Sequence, residues 1–321
     1  LHGSGGWRQY TDVTTHETYP DQVTLADVQA AANALIGVAM RTPLVAFGPF
    51  DDEVGAPRAW LKPENLQPIG AFKIRGAYNA LATLSPEEKD RGVVTHSSGN
   101  HAQGVARAAR MLGGMRAVIV MPEDAPAIKV DGVRADGAEI VFVGSDNEER
   151  IARADELAAQ QGLVLIPSFD DARIVAGQGT VGLEIVEQVA EMGRANKPLT
   201  VFVPIGGGGL SAGGCVAVKS LRPDATVIGV EPELAADVAE SIREDRIVRW
   251  EPELTGRTIA DGVRTSAIGR IPFAQLRRLI DQVVTVSEDD IKRGMLAAAT
   301  RTRIVAEPSG AFSIAAYLRY Q

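Results

Sequence analysis

The 321-residue chain carries a single cysteine, Cys215, and only four histidines. One thiol makes no internal disulfide and no cysteine-based metal centre, and such usage fits a reducing, cytoplasmic setting. Four histidines, two of them at His96 and His101, leave little for a histidine-cluster metal site. No apolar run approaches the roughly 20 residues that a membrane span needs. Basic runs are missing too. Lys and Arg total 33 against 41 Asp and Glu, a net charge of −8, which argues against nucleic acid as a partner. The pair Arg277 and Arg278 in "QLRRL" reads as a solvated helix face. A Ser-His-Asp hydrolase has no G-x-S-x-G elbow to stand on. Internal repeats are absent. The opening "LHGSGGW" has no initiator methionine and no apolar signal segment, so residues 1–20 are expected to be a flexible leader or tag remnant.

What is present is a soluble globular composition, 45% hydrophobic and 23% charged, in a length that suits two closely joined lobes. Short β-branched runs alternate with helical patterns. "GVVTH" precedes a helix from Asn100 to Leu112, "RAVIVMP" one at Ala127 to Ala135, and "AEIVFVG" one at Asn147 to Gln161. "LVLIP" precedes a helix around Gly179 to Met192, and "LTVFVP" one at Leu210 to Leu221. "TVIGVEP" follows, and "QVVTV" runs into a helix with Ser287 as N-cap and Asp290 at its third position, a capping-box variant. Such alternation gives an α/β fold with parallel sheets and helices on both faces. Sites in such sheets lie where strand ends feed helix N-termini.

Several of these turns could carry chemistry. In "NLQPIGAFKIRGAYNAL", Pro68 and Gly70 mark a turn, and Ile74, Ala77, Tyr78 and Leu81 fall on one helix face. Lys73 and Arg75 at that helix start oppose the dipole. Either an anion is nearby, or Lys73 works as a neutral amine nucleophile whose ammonium form the helix end and Arg75 disfavour. The competing reading is a solvated lysine on an amphipathic helix. In "THSSGNHAQG", a Ser-Ser-Gly turn opens a helix whose N–H groups can bind a carboxylate or phosphate, unless Ser97 or Ser98 merely caps it. In "VPIGGGGLSAGG", Gly206, Gly207, Gly208 and Gly209 lie between strand and helix. They expose bare N–H groups to an anion, commonly a phosphate. Gly207, Gly209 and Ala212 also fit a dinucleotide G-x-G-x-x-A pattern, with Glu231 near the ribose-binding position. In "VAEPSGAFSIAA", Ser309 sits in a tight turn before the last helix. Glu231 and Asp237 in "VEPELAADVAE" are hard oxygen ligands suited to Mg²⁺ or Ca²⁺, or else solvated acids. "IADGVRTSAIG" makes a polar loop of unassigned purpose around Asp261, Gly262, Thr265 and Ser266.

In this order, from about Thr42 to Tyr317, the turns resemble those of the fold-type II pyridoxal-phosphate enzymes, the tryptophan synthase β-like fold. The resemblance is to the serine/threonine dehydratase and serine racemase branch. It implies a large cofactor-binding lobe of residues 21–77 and 170–321, a small lobe of residues 78–169, and a homodimer. "KPENLQPIGAFKIRGA" resembles the cofactor-lysine segment, which makes Lys73 the lysine that bonds pyridoxal phosphate, with Phe72 beside the ring. "SSGNHAQG" resembles the substrate-carboxylate loop, Ser97, Ser98, Gly99, Asn100 and His101, with Asn100 placed to bond the cofactor's phenolic oxygen. Gly206 to Gly209 resemble the phosphate cup, and Ser309 matches the residue at the pyridine nitrogen. A divalent-metal loop maps onto Glu231, the Ala235 carbonyl and Asp237.

The activity so implied is α,β-elimination of L-threonine, L-serine or a related β-hydroxy amino acid to a 2-oxo acid and ammonia, with Lys73 as general base. Ser98 matches the serine that racemases of the family set opposite the lysine. The alternative is therefore a serine racemase with side dehydratase activity, and Ser98 is otherwise a turn serine. A non-catalytic pyridoxal-phosphate-binding homologue is a third reading. Ile69 and Ala71 stand where the family often has hydroxyls, and Glu149 aligns best with an arginine of mammalian-type racemases, Arg150 lying one place off. A hydroxyaspartate or a bulkier β-hydroxy amino acid is thus among the candidate substrates.

Overall fold

The computed structural model describes residues 22–48, 50–51, 56–57, 59–97, 99–144 and 147–320. The expected leader over residues 1–20 and Ser98 lie outside the described residues. Two parallel sheets organise the chain. The first has four strands in the order Glu139–Val143, Ala117–Pro122, Val93–His96, Val164–Leu165. The second has three, Gln282–Val286, Thr226–Pro232, Thr200–Pro204. All six residues of Ala117–Pro122 are buried, as expected for a strand with helices on both faces. One face packs Ile119 and Met121 against Ile74, Leu81, Val105 and Ile174. The other packs Val118 and Val120 against Ala154 and Leu157. The second sheet sets Val203, Ile205 and Val227 against Val175, Ala212, Cys215 and Val216 of its covering helices.

The helix starts explain much of what positions the site. Ser287 caps Glu288–Thr302 through the anticipated box, its Oγ accepting from the Asp290 N–H while the Asp290 carboxylate accepts from the Ser287 N–H. The helix expected around Gly179 to Met192 instead runs Ala172–Glu191. Asp171 is its N-cap, accepting from the Arg173 N–H at 2.7 Å. The "AGQG" stretch keeps its glycines within the helix because neighbouring backbones press on it. A methyl on Gly177 would lie 2.6 Å from the Gly76 Cα, and one on Gly213 would lie 2.1 Å from the Val175 carbonyl oxygen. The preceding strand is correspondingly short, Val164–Leu165. Among the described residues no helix is long and apolar enough to cross a membrane.

Candidate active site

Lys73 is the first residue of the helix Lys73–Ala82, whose buried face includes Ile74, Ala77 and Leu81. Burying Ile74 and Leu81 alone contributes about 1.5–3 kcal/mol each, enough to hold the helix on the first sheet. The Lys73 Nζ donates to the Ser168 carbonyl at 2.9 Å and lies 5.5 Å from the Phe72 ring centroid. Removal from water lowers the ammonium pKa from 10.5 to about 8. Arg75 does not produce that shift, contrary to the sequence expectation. Its guanidinium turns away and is held between Glu64 and Glu184, so its charge is matched locally.

Ser168 and Phe169 carry no functional signal in the sequence, because the helix pattern after them reads as starting later than it does. They join two parts of the site. Ser168 holds the amine of Lys73, and the ring of the next residue fills the space over the glycine turn. A methyl on Gly207 would lie 2.2 Å from Phe169 Cδ1. Gly206 is also close against Val263, at 2.9 Å, and Gly208 has φ +91, the left-handed region that favours glycine. Gly208 is the N-cap of Gly209–Leu221, and no side chain caps that helix. The turn is therefore a cradle of first-turn N–H groups suited to a phosphate.

The helix Asn100–Met111 also starts without a side-chain cap, from Gly99. Capping by Ser97 is thus not its role. The Ser97 Oγ accepts from the Gly99 N–H at 3.2 Å, within the turn. This helix reaches Lys73 through Gly104, where a methyl would lie 3.2 Å from the Lys73 carbonyl carbon. Asn100 Nδ2 donates to Glu307 Oε1 at 2.8 Å. His101 is buried, and desolvation, then the Lys73 charge, push its pKa down to about 3. Its Nε2 lies 3.2 Å from the Ile166 carbonyl, which can only accept, so the proton is on Nε2. Nδ1 has no partner. The ring is neutral at pH 7 and faces the protein interior, leaving its backbone as the part that can serve the loop.

Ser309 opens the last helix, Pro308–Tyr320, and its Oγ accepts from the Gly262 N–H at 2.8 Å beside Asp261 at 3.4 Å. This gives the unassigned polar loop a place. Gly262 meets Ser309, and Val263 walls the glycine turn at Gly206. Asp261 pairs with Lys129 at 2.8 Å, and Lys129 in turn lies against Gly99. Lys129 and Glu307 are silent in the sequence, since only the fold brings Asp261 to the one and Asn100 to the other.

Glu231 is fully buried and accepts from the Val238 and Ala239 N–H groups at 3.1 and 2.7 Å. Desolvation, then the Asp237 charge, hold its pKa well above the usual range. So placed, it is closed off as a ribose acceptor, and the dinucleotide pattern loses its acid. Asp237 is buried with Oδ2 unpartnered, and burial raises its carboxyl to about 7. Two buried carboxylates with an orphaned oxygen fit a hard divalent cation, although no group of three or more His, Cys, Asp or Glu side chains occurs among the described residues. If Glu231, the Ala235 carbonyl and Asp237 hold such an ion, saturating Mg²⁺ or Ca²⁺ will raise the thermal midpoint by several degrees. Asp237→Asn should abolish that gain.

The family profile described as "Pyridoxal-phosphate dependent enzyme" matches residues 37–321. The chain belongs to the pyridoxal-phosphate-dependent enzyme family. It is 40% identical to the L-threo-3-hydroxyaspartate ammonia-lyase of Saccharomyces cerevisiae, over 92% of this chain and 87% of that one. It is 37% identical to the serine racemase of Schizosaccharomyces pombe, over 91% and 87%. The crystal structure of the threonine deaminase from T.th. superposes with TM-score 0.84 at 42% identity, covering 92% of this chain and 93% of that one. The fold is therefore fold type II and the cofactor is pyridoxal phosphate. The residues present fit that group: a glycine turn with no side-chain cap at the helix start and an amine of lowered pKa, bridged by consecutive residues.

The lysine also gives the family member a pH signature. Below about 8 the folded, cofactor-free chain bears a buried ammonium, a penalty the unfolded chain does not share. Between about 8 and 10.5 only the unfolded lysine keeps its proton, so the penalty is relieved and stability rises with pH. Thermal midpoints of the parent should gain on those of Lys73→Met across that window. Parallel curves would rule out the shift.

Proposed function

We propose that this enzyme eliminates water from L-threonine, L-serine or a related β-hydroxy amino acid, the resulting enamine then taking up water and releasing ammonia to leave the 2-oxo acid. The observation that carries this reading is the link from Lys73 to the glycine turn. Ser168 holds the amine, and Phe169, the next residue, lies against Gly207. Bound at Lys73, pyridoxal phosphate supplies an electron-withdrawing ring that acidifies the substrate's α-hydrogen. The chain's own parts do the rest. Gly206 to Gly209 hold the phosphate with N–H groups. The Ser97 to His101 loop, at an uncapped helix start, takes the substrate carboxylate, and Asn100 orients the ring oxygen. Lys73 has a pKa near enough to neutrality to accept the α-proton and return it. The Ser309 hydroxyl, which accepts from the Gly262 N–H and makes only a 3.4 Å contact with Asp261, keeps a proton to offer the pyridine nitrogen.

Residues 78–169 and the remainder act as small and large lobes in this proposal, with the carboxylate loop on one and the glycine turn on the other. A homodimer is the assembly to test by light scattering; Ile36 and Val305, 79% and 81% exposed, are apolar positions on the single chain's surface.

Elimination and racemisation separate in one assay. The loaded protein is incubated with L-threonine, L-serine and L-threo-3-hydroxyaspartate in turn. 2-Oxo acid and the D/L ratio of remaining substrate are measured. Oxo acid without D-serine is the expected result, and the fastest of the three substrates defines specificity. D-Serine formed as fast as oxo acid would establish the racemase instead, the reading that the serine at position 98 and the 37%-identical racemase support. Ser98→Ala would then remove D-serine and spare oxo acid.

A further inference from the structure

The helix that begins at Lys73 has no side-chain cap, and its first turn is closed locally only by the Arg75 N–H donating to the Phe72 carbonyl at 3.0 Å. Phe72 is its N-cap with no side-chain hydrogen bond, and the first turn has no acidic residue. Free helix ends of this kind fray. Here the fraying end carries the cofactor lysine, so something else must fix it.

That something is Arg75, two residues along and 1% exposed. Its Nε and Nη2 donate to the Glu64 carboxylate at 2.7 and 2.9 Å. Its Nη1 and Nη2 donate to Glu184 at 2.6 and 3.0 Å, from the helix Ala172–Glu191. Further bonds run to the Thr180 hydroxyl and the Met40 carbonyl. Lys62 completes the cluster, donating to Glu184 at 2.6 Å and to the Thr42 carbonyl. The next residue, Gly76, gives its N–H to Gln178 Oε1 at 3.1 Å. The first turn is thus tied by side chains from other segments rather than by a cap.

Two cations and two carboxylates sum to zero, so the cluster does not itself favour either protonation state of Lys73. Nor is stability a sufficient reason for it, since buried ion clusters are often matched by apolar residues of similar volume. A planar guanidinium gripped by two carboxylates offers direction, because each fork sets an angle as well as a distance. We propose that Arg75 is a positioning residue: the neutral quartet Lys62, Glu64, Arg75 and Glu184 fixes the first turn of Lys73–Ala82 and so aims the Lys73 amine. This rests on Lys73 being the cofactor-bonding amine.

The test uses the loaded enzyme and three variants, Lys73→Ala, Arg75→Lys and the double replacement R75M/E64L. The last removes one charge of each sign and leaves the Lys62–Glu184 pair intact. Four quantities are read: the thermal midpoint, the visible cofactor band, the pH midpoint of that band, and kcat and KM separately. The double variant should keep its thermal midpoint within a few degrees. It should lose about 10²-fold in kcat, the scale of a misplaced reacting group, with KM little changed and the band's pH midpoint shifted. Arg75→Lys keeps the charge but not the fork, and should show the same signature. Parental kcat and pH midpoint in either folded variant would overturn the proposal. Should the double variant fail to fold, Arg75→Lys decides it alone. Lys73→Ala separates the levels. Retention of the parental band there would defeat the lysine assignment and this proposal with it. Its loss, beside unchanged Arg75 variants, would defeat only the proposal.

Discussion

Lys73→Ala is expected to cut 2-oxo acid formation by at least about 10³-fold and to abolish the parental visible band, while the fold survives. A general base alone accounts for about 10²–10⁴-fold, and this side chain is also the cofactor's point of attachment. The fold should tolerate the change because the amine contributes one hydrogen bond, to the Ser168 carbonyl, and sits at a helix end rather than in the apolar face. Removing it also relieves the burial that pushes its pKa to about 8. Absorbance spectra, a stopped assay of oxo acid and a thermal melt are sufficient. A variant retaining a tenth of parental turnover would assign the proton transfer to another group.

Gly207→Ala should be nearly as damaging, through the phosphate cradle. The added methyl would fall 2.2 Å from one ring carbon of Phe169 and 2.5 Å from another, too close for any rotamer adjustment of the methyl itself. Either the ring moves, disturbing Ser168 and the amine it holds, or the turn moves, spoiling the N–H array. Overpacking of this sort costs about 1–3 kcal/mol in stability. The larger effect is on the cofactor, whose dissociation constant should rise by about 10²-fold or more, consistent with several charge-assisted hydrogen bonds lost together. Equilibrium titration of the cofactor-free protein measures this. Phe169→Ala should partly restore binding to Gly207→Ala by vacating the space, and an unchanged dissociation constant in the single variant would contradict the cradle.

The turns that carry chemistry are readable because each breaks a local rule. Four glycines in a row and two cations at a helix start both call for an explanation outside the local chain. Strand-to-helix alternation places them at one edge of parallel sheets, and the strands over 93–96, 117–122, 200–204 and 226–232 lie where the runs of β-branched residues put them. What is not readable depends on long-range packing. The pattern puts the start of the helix Ala172–Glu191 seven residues late because "AGQG" looks like a breaker until Gly76, Gly213 and Gly214 are seen against it. Ser168 and Phe169 are hidden by the same displacement. The direction of Arg75 is equally hidden, since only the fold brings Glu184 across 109 positions to meet it.

That 20-residue helix has a consequence of its own. At Gly177 it touches the backbone of the segment bearing the amine. At Gly179 and Gly182 it touches Gly213 and Gly214, in the helix that starts from the glycine turn. Both contacts are main chain against main chain, with no side chain between them to flex. The helix therefore works as a gauge block, setting the separation between the aldehyde end and the phosphate end of whatever lies across the site. A cofactor analogue lengthened by one methylene between ring and phosphate should reach one anchor or the other, but not both.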